Sequence, residues 1–512
     1  MTILSLAPTW RGVLAAMLAA ALAACAVGPD FSSPAAPTVA DDTHPYTPTA
    51  VPAVTASASG PGGAAQRLSL GQDIPAQWWE LFQSPALDAL IRSSLEQSPT
   101  LAAAQAALRQ AQENYAADSG RRLVPAVNGQ LGAERERLPP AAGGIPGHNV
   151  FTVYNASVNV SYTVDAFGGV RRELEGLQAT VDFQRYQVEA AYLTLTTNVV
   201  TTAIQEASLR AQLQSTQEVV DAVAQSLDLL QKQANLGAIA RSTVLAQQTL
   251  LAQTQSLLPG LRKALAQTRQ QLAVFAGRLP GDPGLPEFDL QSLQLPQDLP
   301  VVLPSSLVRK RPDIQASEAL LHAASAQIGV ATANLYPQIS LSGSLGSEAL
   351  TAGKLFSSGT AAWSIGAGLL QPIFNGGALQ ATKRAAIAAY DQADAQYRQT
   401  VLNAFLNVAN TLRALDDDAE ALRVQADAES YAQQTLDLVQ RQYRLGAVGY
   451  LALLDVQRQY LQTHIALAQA QATRYADTAA LFQAMGGGWW NRTELADIST
   501  PATAASAAGV NR

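Results

Sequence analysis

The stretch Tyr154-Asn155-Ala156-Ser157-Val158-Asn159-Val160-Ser161-Tyr162-Thr163-Val164 alternates apolar and polar side chains, and immediately beyond it the period changes. A run of about eleven alternating residues is what a tilted strand needs to cross a bilayer with one face in lipid. From Val170 to Asn235 there is no proline. Apolar residues recur there at Leu174, Leu177, Val181, Val188, Tyr192, Leu195 and Val199, then at Leu209, Leu213, Val220, Val223, Leu227 and Leu230. This heptad-like seam belongs to a helix of about 65 residues, roughly 100 Å long at 1.5 Å per residue. An ordinary globule could not bury such a stripe.

The same design is written twice. Pro125 before a strand-like run matches Pro337, Phe167-Gly168-Gly169 matches Phe374-Asn375-Gly376-Gly377, and Leu236-Gly237-Ala238 matches Leu445-Gly446-Ala447. The pairs keep one order and lie about 210 residues apart, the mark of a duplication. In the second half Ile339, Leu341 and Leu345 alternate with serines, and Trp363, Ile365, Ala367 and Leu369 alternate with Ser364, Gly366 and Gly368. The remaining strand, Val127 to Arg137, is the least regular. A second long helix is expected from Ala378 to Leu445, with Phe405, Val408, Leu412, Leu415 and Leu422 on its seam. The expected fold is therefore mainly α with membrane β. Four strands cannot enclose an aqueous lumen, and an open sheet in lipid leaves edge groups unsatisfied, so the chain must oligomerise. Three copies would supply twelve strands.

At the N-terminus, an apolar stretch from Val13 to Ala24 ends at Leu22-Ala23-Ala24-Cys25. It is short for a permanent span, and small residues before the break suit signal cleavage. Cys25 is the only cysteine. It is read as the acylated first residue of a lipoprotein, with a free thiol or an uncleaved anchor as the alternatives. Ala26 follows it, with no Asp in that place to retain the protein at an inner membrane. The net charge of −7, with 14% charged residues, excludes a basic nucleic-acid footprint.

Taken together, Cys25 to Phe31, Trp78-Trp79 with Phe82, Arg311-Pro312-Asp313-Ile314, Tyr336-Pro337, Pro372-Ile373-Phe374 and Gly486-Gly487-Gly488-Trp489 resemble the TolC-like outer-membrane factors, in particular the NodT-like lipoproteins of resistance-nodulation-division efflux systems. The order and spacing of these motifs carry the resemblance, which covers nearly the whole mature chain. It implies a homotrimer whose 12-stranded outer-membrane β-barrel, four strands per protomer, continues into a long α-helical barrel through the periplasm. It also implies docking to a periplasmic adaptor (membrane fusion protein) and to an inner-membrane pump of resistance-nodulation-division or similar type. Outer-membrane lipid would be the remaining partner. The expected division is a signal peptide over 1–24, a lipidated leader over 25–77, repeats over 78–280 and 305–490, a linker over 281–304 in the equatorial region, and a flexible tail over 491–512. Pro34 to Ala65 reads as a flexible leader, and the Pro- and Gly-rich, acidic Gly281 to Pro304 links the two halves.

Both long helices stop at Leu-Gly-Ala, where glycine suits a helix C-terminus before the chain reverses. By the resemblance, Leu236, Gly237, Ala238, Leu445, Gly446 and Ala447 are the adaptor-contacting tips. Past the second tip, Leu451, Asp455 and Arg458 lie at i, i+4 and i+7, on one helix face. The resemblance makes that face a gate at the pump end, in which Leu451 plugs and a ring of Asp455 attracts cations, with Tyr443 contributing. The spacing alone also fits an exposed coil face with an isolated acid and base. Asp416-Asp417-Asp418 reads as a solvated helix face, with a lumen-facing acidic band as the other possibility.

Nothing points to an enzyme or a cofactor. The four histidines, His44, His148, His322 and His464, are scattered, and no Gly-rich phosphate cradle opens a helix. The rival readings are a periplasmic adaptor and a structural coiled-coil lipoprotein. An adaptor would carry one helical hairpin beside small β-domains, and a coiled-coil protein would lack the alternating strands.

Overall fold

The computed structural model describes residues 26–35, 46–137 and 150–492. Cys25, the signal segment, His44, His148 and the tail beyond Arg492 lie outside the described residues. The chain divides into two compact units, and the long helices run through both. No described helix is long and apolar enough to cross a membrane.

The first unit contains one antiparallel sheet in the order β2-β3-β5-β6. Its strands are β2 (Ala126–Arg137), β3 (Val150–Val164), β5 (Gln338–Ala349) and β6 (Ala361–Leu370). Each repeat supplies a hairpin, and the two hairpins meet where β3 pairs with β5, Val160 opposite Gly343. Alternation produced the strands, yet neither face of the sheet is covered within the protomer. Val127, Leu131, Trp363 and Ile365 are 65–83% exposed.

The strands run into helices through the two glycine turns. After β3, Asp165 accepts hydrogen bonds from the N–H groups of Val170 and Arg171, both at 3.0 Å. The acid thereby meets the unsatisfied donors and positive dipole of helix α3 (Gly169–Asn235). After β6, Asn375 accepts from Gly377 N–H ahead of α7 (Ala378–Arg444). Both helices are 67 residues long. Much of each seam is buried: Val199, Val223 and Leu230 on α3, and Val408, Leu415 and Leu422 on α7, are at most 2% exposed.

The residues that follow Cys25 form a strap on α3 and on α6 (Pro312–Ala333), the helix that leads into β5. Val27 N–H donates to Phe167 O at 3.1 Å, and Asp30 pairs with the buried guanidinium of Arg172, which also holds Glu175. Phe31 stacks on His322 at 4.3 Å, and His322 contacts Glu175 at 2.8 Å.

The second unit holds the main core. Trp78, Trp79 and Phe82, on a 3-10 turn over Trp78–Phe82, pack with Ile91 of α1 (Pro85–Gln97). Ile204 of α3 and Tyr475 and Phe482 of α8 (Tyr450–Ala484) complete the cluster. A further helix, α2 (Pro99–Leu123), runs on toward β2, while α4 (Arg241–Phe275) follows the first tip. Arg311 bonds Asp313 and Ala484 O, so Arg311-Pro312-Asp313 starts α6 after the short α5 (Pro304–Lys310).

The segment from Gly281 to Pro304, read as the link between the halves, is packed: Phe288, Leu290, Leu293, Leu295 and Leu299 are buried, and strand β4 (Asp298–Val301) pairs in parallel with β1 (Arg67–Leu70). One expectation is corrected: within the leader, residues 46–65 are not loose. Tyr46 donates to Val302 O at 2.6 Å, and Thr55 accepts from Arg474, which also donates to Ala64 O. Proline and glycine content signalled coil in both places, whereas the partners that order them lie hundreds of residues away.

Candidate functional site: the helix tips and the face beyond the second tip

The two tips close in the same way. Gly237 and Gly446 have φ of +74° and +72°, the left-handed region that glycine enters without strain. Ala238 N–H reaches back to Gln233 O at 3.0 Å, and Ala447 N–H to Gln442 O at 2.9 Å, which satisfies carbonyls at the helix ends. Leu236 and Leu445 stand 85% and 84% exposed. Large apolar side chains at a chain reversal, with nothing of their own protomer on them, are available for a partner.

Helix α8 opens three residues after Ala447. Leu451 is 74% exposed, and Asp455 and Arg458 are exposed one and two turns on, while Leu453, Leu454 and Gln457 are buried. The predicted trio thus shares one open face, and among the described residues no ion pair joins Asp455 to Arg458. Arg458 also borders an open groove between α4 and α8 that includes Leu250, Leu257, Leu461 and Ile465. Tyr443 does not join that face. It lies half-buried, edge-on to Tyr450 at 6.2 Å, with burial pushing its phenol up.

Two features escaped the sequence reading, one beside the tips and one far along the same helices. Tyr450, the first residue of α8, donates its hydroxyl to the fully buried Gln247 of α4, whose amide donates to Val223 O of α3 at 3.0 Å. Burial, aided by Tyr443, pushes the Tyr450 phenol up to about 12, so it stays a neutral donor. The other feature is the acidic triplet. Asp417 is exposed, but Asp416 and Asp418 are half-buried, and Asp418 shares a hydrogen bond with Asp477 of α8. Burial first, then that bond and the charge of Asp418, push the Asp477 carboxyl up to about 8, against the opposing pull of Arg474. Only one member of the triplet is therefore the solvated residue expected. A tyrosine after glycine and an acid within an alanine-rich helix gave no local signal of either contact.

His464 bonds Glu429 at 2.8 Å and stacks on Tyr460, a packing role like that of His322. Among the described residues there is no group of three or more His, Cys, Asp or Glu side chains able to hold a metal.

A family model described as outer membrane efflux protein matches residues 90–278 and 303–487. The pyoverdine export outer membrane protein OpmQ of Pseudomonas aeruginosa is 33% identical over 81% of this chain and 87% of its own length. The probable efflux pump outer membrane protein TtgC of Pseudomonas putida is 29% identical over 95% and 98%. Among solved structures, the outer-membrane channel OprN is 28% identical with a TM-score of 0.80, over 91% of this chain and 100% of that one. The open-state MtrE outer membrane channel of Neisseria gonorrhoeae is 26% identical with a TM-score of 0.77, over 92% and 100%. The fold is TolC-like, and the chain belongs to the outer membrane efflux protein family.

Proposed function

We propose that this chain is the exit duct of a tripartite efflux system, passing small toxic molecules from pump and adaptor to the cell exterior. The observation that carries the proposal is the uncovered four-stranded sheet. Strands β2 and β6 are its free edges, and its apolar side chains have no core of their own. Pairing β2 of one copy with β6 of the next removes the edges, and three copies give a twelve-stranded barrel of a size that leaves an aqueous lumen. Its outer side chains then meet lipid. A lipidated Cys25 behind a cleaved 1–24 would add a second attachment to the outer membrane. In this reading 78–280 and 305–490 are the repeats.

The two tips meet the adaptor through Leu236, Gly237, Ala238, Leu445, Gly446 and Ala447, and the inner-membrane pump feeds the duct. Leu451, Asp455 and Arg458 form the periplasmic gate, one apolar and one acidic ring stacked along the pore. Relatives are named for pyoverdine export, toluene efflux and antibiotic efflux, so cargo choice belongs to the pump rather than to the duct.

Two experiments test this. The protein should sediment with outer membrane as a heat-modifiable trimer that survives mild detergent, and recovery as a soluble monomer would refute the duct. Replacing Leu451 and Asp455 together with alanine should raise single-channel conductance of the purified trimer in planar bilayers. Unchanged conductance would remove the gate.

A further inference from the structure

We infer that Arg135 and Arg137 bind the phosphate groups of a saccharolipid of the outer leaflet, with an acyl chain of that lipid lying in the groove beneath them. The inference rests on the reading of the four-stranded sheet as one third of a membrane barrel.

The pairing register sorts the side chains of the sheet onto two faces. Only five residues of its strands are charged, Glu134, Arg135, Glu136 and Arg137 on β2 and Glu348 on β5. Partners across a ladder share a face, and neighbours along a strand do not. Asn155 stands opposite both Gly132 and Glu348, so Glu134, Glu136 and Glu348 lie on the side that carries Gln130, Ser157 and Ser344. Arg135, opposite Thr152, and Arg137, opposite Val150, lie on the other side with Leu131, Val158, Leu345 and Trp363. The charges therefore separate by sign, the acids toward the lumen and the arginines toward lipid.

Register also sets their depth. β2 ends at Arg137 and β3 begins at Val150, so the arginines stand at the end of the sheet farthest from the helices. On β3 the lipid face is apolar from Val164 back to Tyr154, eleven residues. At about 3.4 Å per residue and a tilt of about 45° this spans about 25 Å, the height of the apolar band of an outer-membrane barrel. Thr152 and Arg135 form the next row outward. An arginine is costly at mid-bilayer and tolerated at the headgroups, and Arg135 begins where the band ends.

Below the arginines the lipid face is indented. Leu131, Ala156, Val158, Leu345 and, from the loop between β5 and β6, Phe356 border an open groove of about 530 Å³. Leu131 and Phe356 are 78% and 82% exposed. Arg135 lies four residues beyond Leu131 on the same face, about 13 Å along the strand. One amphiphile can span that distance, its phosphate on the guanidinium and its chain in the groove. Both arginines are exposed, and among the described residues neither makes an ion pair. A guanidinium matches phosphate geometry with two parallel hydrogen bonds. With the two arginines about 7 Å apart along the strand, a headgroup carrying two phosphates can satisfy both, whereas a phospholipid with one phosphate leaves one unmet.

The full-length trimer in detergent is titrated with diphosphorylated lipid A, with the same lipid dephosphorylated, and with phosphatidylglycerol, and binding is read by native mass spectrometry. Wild type should prefer the diphosphorylated form by about thirtyfold over the dephosphorylated one. Arg135→Gln/Arg137→Gln should lose that preference, and Glu134→Gln/Glu136→Gln, on the lumen face, should keep it. Phe356→Ser should weaken both forms of the lipid alike, because it touches only the chain. Equal binding of the two forms by wild type overturns the proposal, and this comparison needs no variant to assemble. Phosphatidylglycerol bound as tightly as diphosphorylated lipid A, or a preference that survives Arg135→Gln/Arg137→Gln, also overturns it. If the chain is recovered as a soluble monomer, the barrel reading falls. A trimer that binds these lipids without distinction loses only this site.

Discussion

Substituting Gly28 by alanine should detach the strap formed by the residues that follow Cys25. Gly28 has φ +100°, and a Cβ added there would sit 2.5 Å from the Cα of Gly329. A backbone atom cannot swing aside as a side chain can, and the left-handed conformation itself would cost an alanine about 1–3 kcal/mol. Lifting the strap is the alternative. That forfeits the Val27–Phe167 backbone bond, the Phe31–His322 stack and the Asp30–Arg172 pair. The ion pair is discounted because Asp30 is 94% exposed. The three together contribute about 3 kcal/mol. Release is thus comparable to or cheaper than tolerating both strain and overlap. Hydrogen exchange followed by mass spectrometry on the detergent-solubilised protein should show protection at the Val27 amide falling on the order of a hundredfold. Phe31→Leu, which removes only the stack, should lower it about fivefold. Wild-type protection at Val27 in Gly28→Ala would refute the reasoning, because the overlap with Gly329 would then have relaxed without moving the strap.

Asp477→Asn tests the buried carboxyl pair. Because the folded state raises this carboxyl toward about 8, the native protein holds a proton that the unfolded chain releases near pH 4, and stability falls as pH rises between those values. Asparagine stays neutral, so the variant should unfold at a higher temperature than wild type at pH 8, with the gain shrinking toward pH 5. A difference that does not vary with pH would refute the assignment. Among the tryptophans, Trp79 donates its indole N–H to Asp88 at 3.0 Å, whereas that of Trp78 has no partner among the described residues. Trp79→Phe should therefore destabilise the second unit by about 1–3 kcal/mol more than Trp78→Phe in denaturant unfolding, and equal losses would contradict it.

Strands, long helices and tips were legible in the sequence because each is a short-range pattern. Period-two alternation through Tyr154–Val164, the heptad seam through Val199 and Val223, and glycine at Gly237 and Gly446 depend on neighbours within a few residues. The shared face of Leu451, Asp455 and Arg458 followed from helix geometry alone, as did the turn roles of Phe167-Gly168-Gly169 and its counterpart. Tertiary structure decided the rest. It buried Leu290, Leu293, Leu295 and Leu299 within the proline- and glycine-rich link between the halves, and paired β1 with β4 across more than two hundred residues. It also set Tyr443 apart from the face that carries Leu451, Asp455 and Arg458, and gave Tyr450 a partner in the other repeat. The physical reason is common to all four. Whether a polar or small residue is solvated or buried depends on what distant chain arrives beside it, and no local period records that arrival.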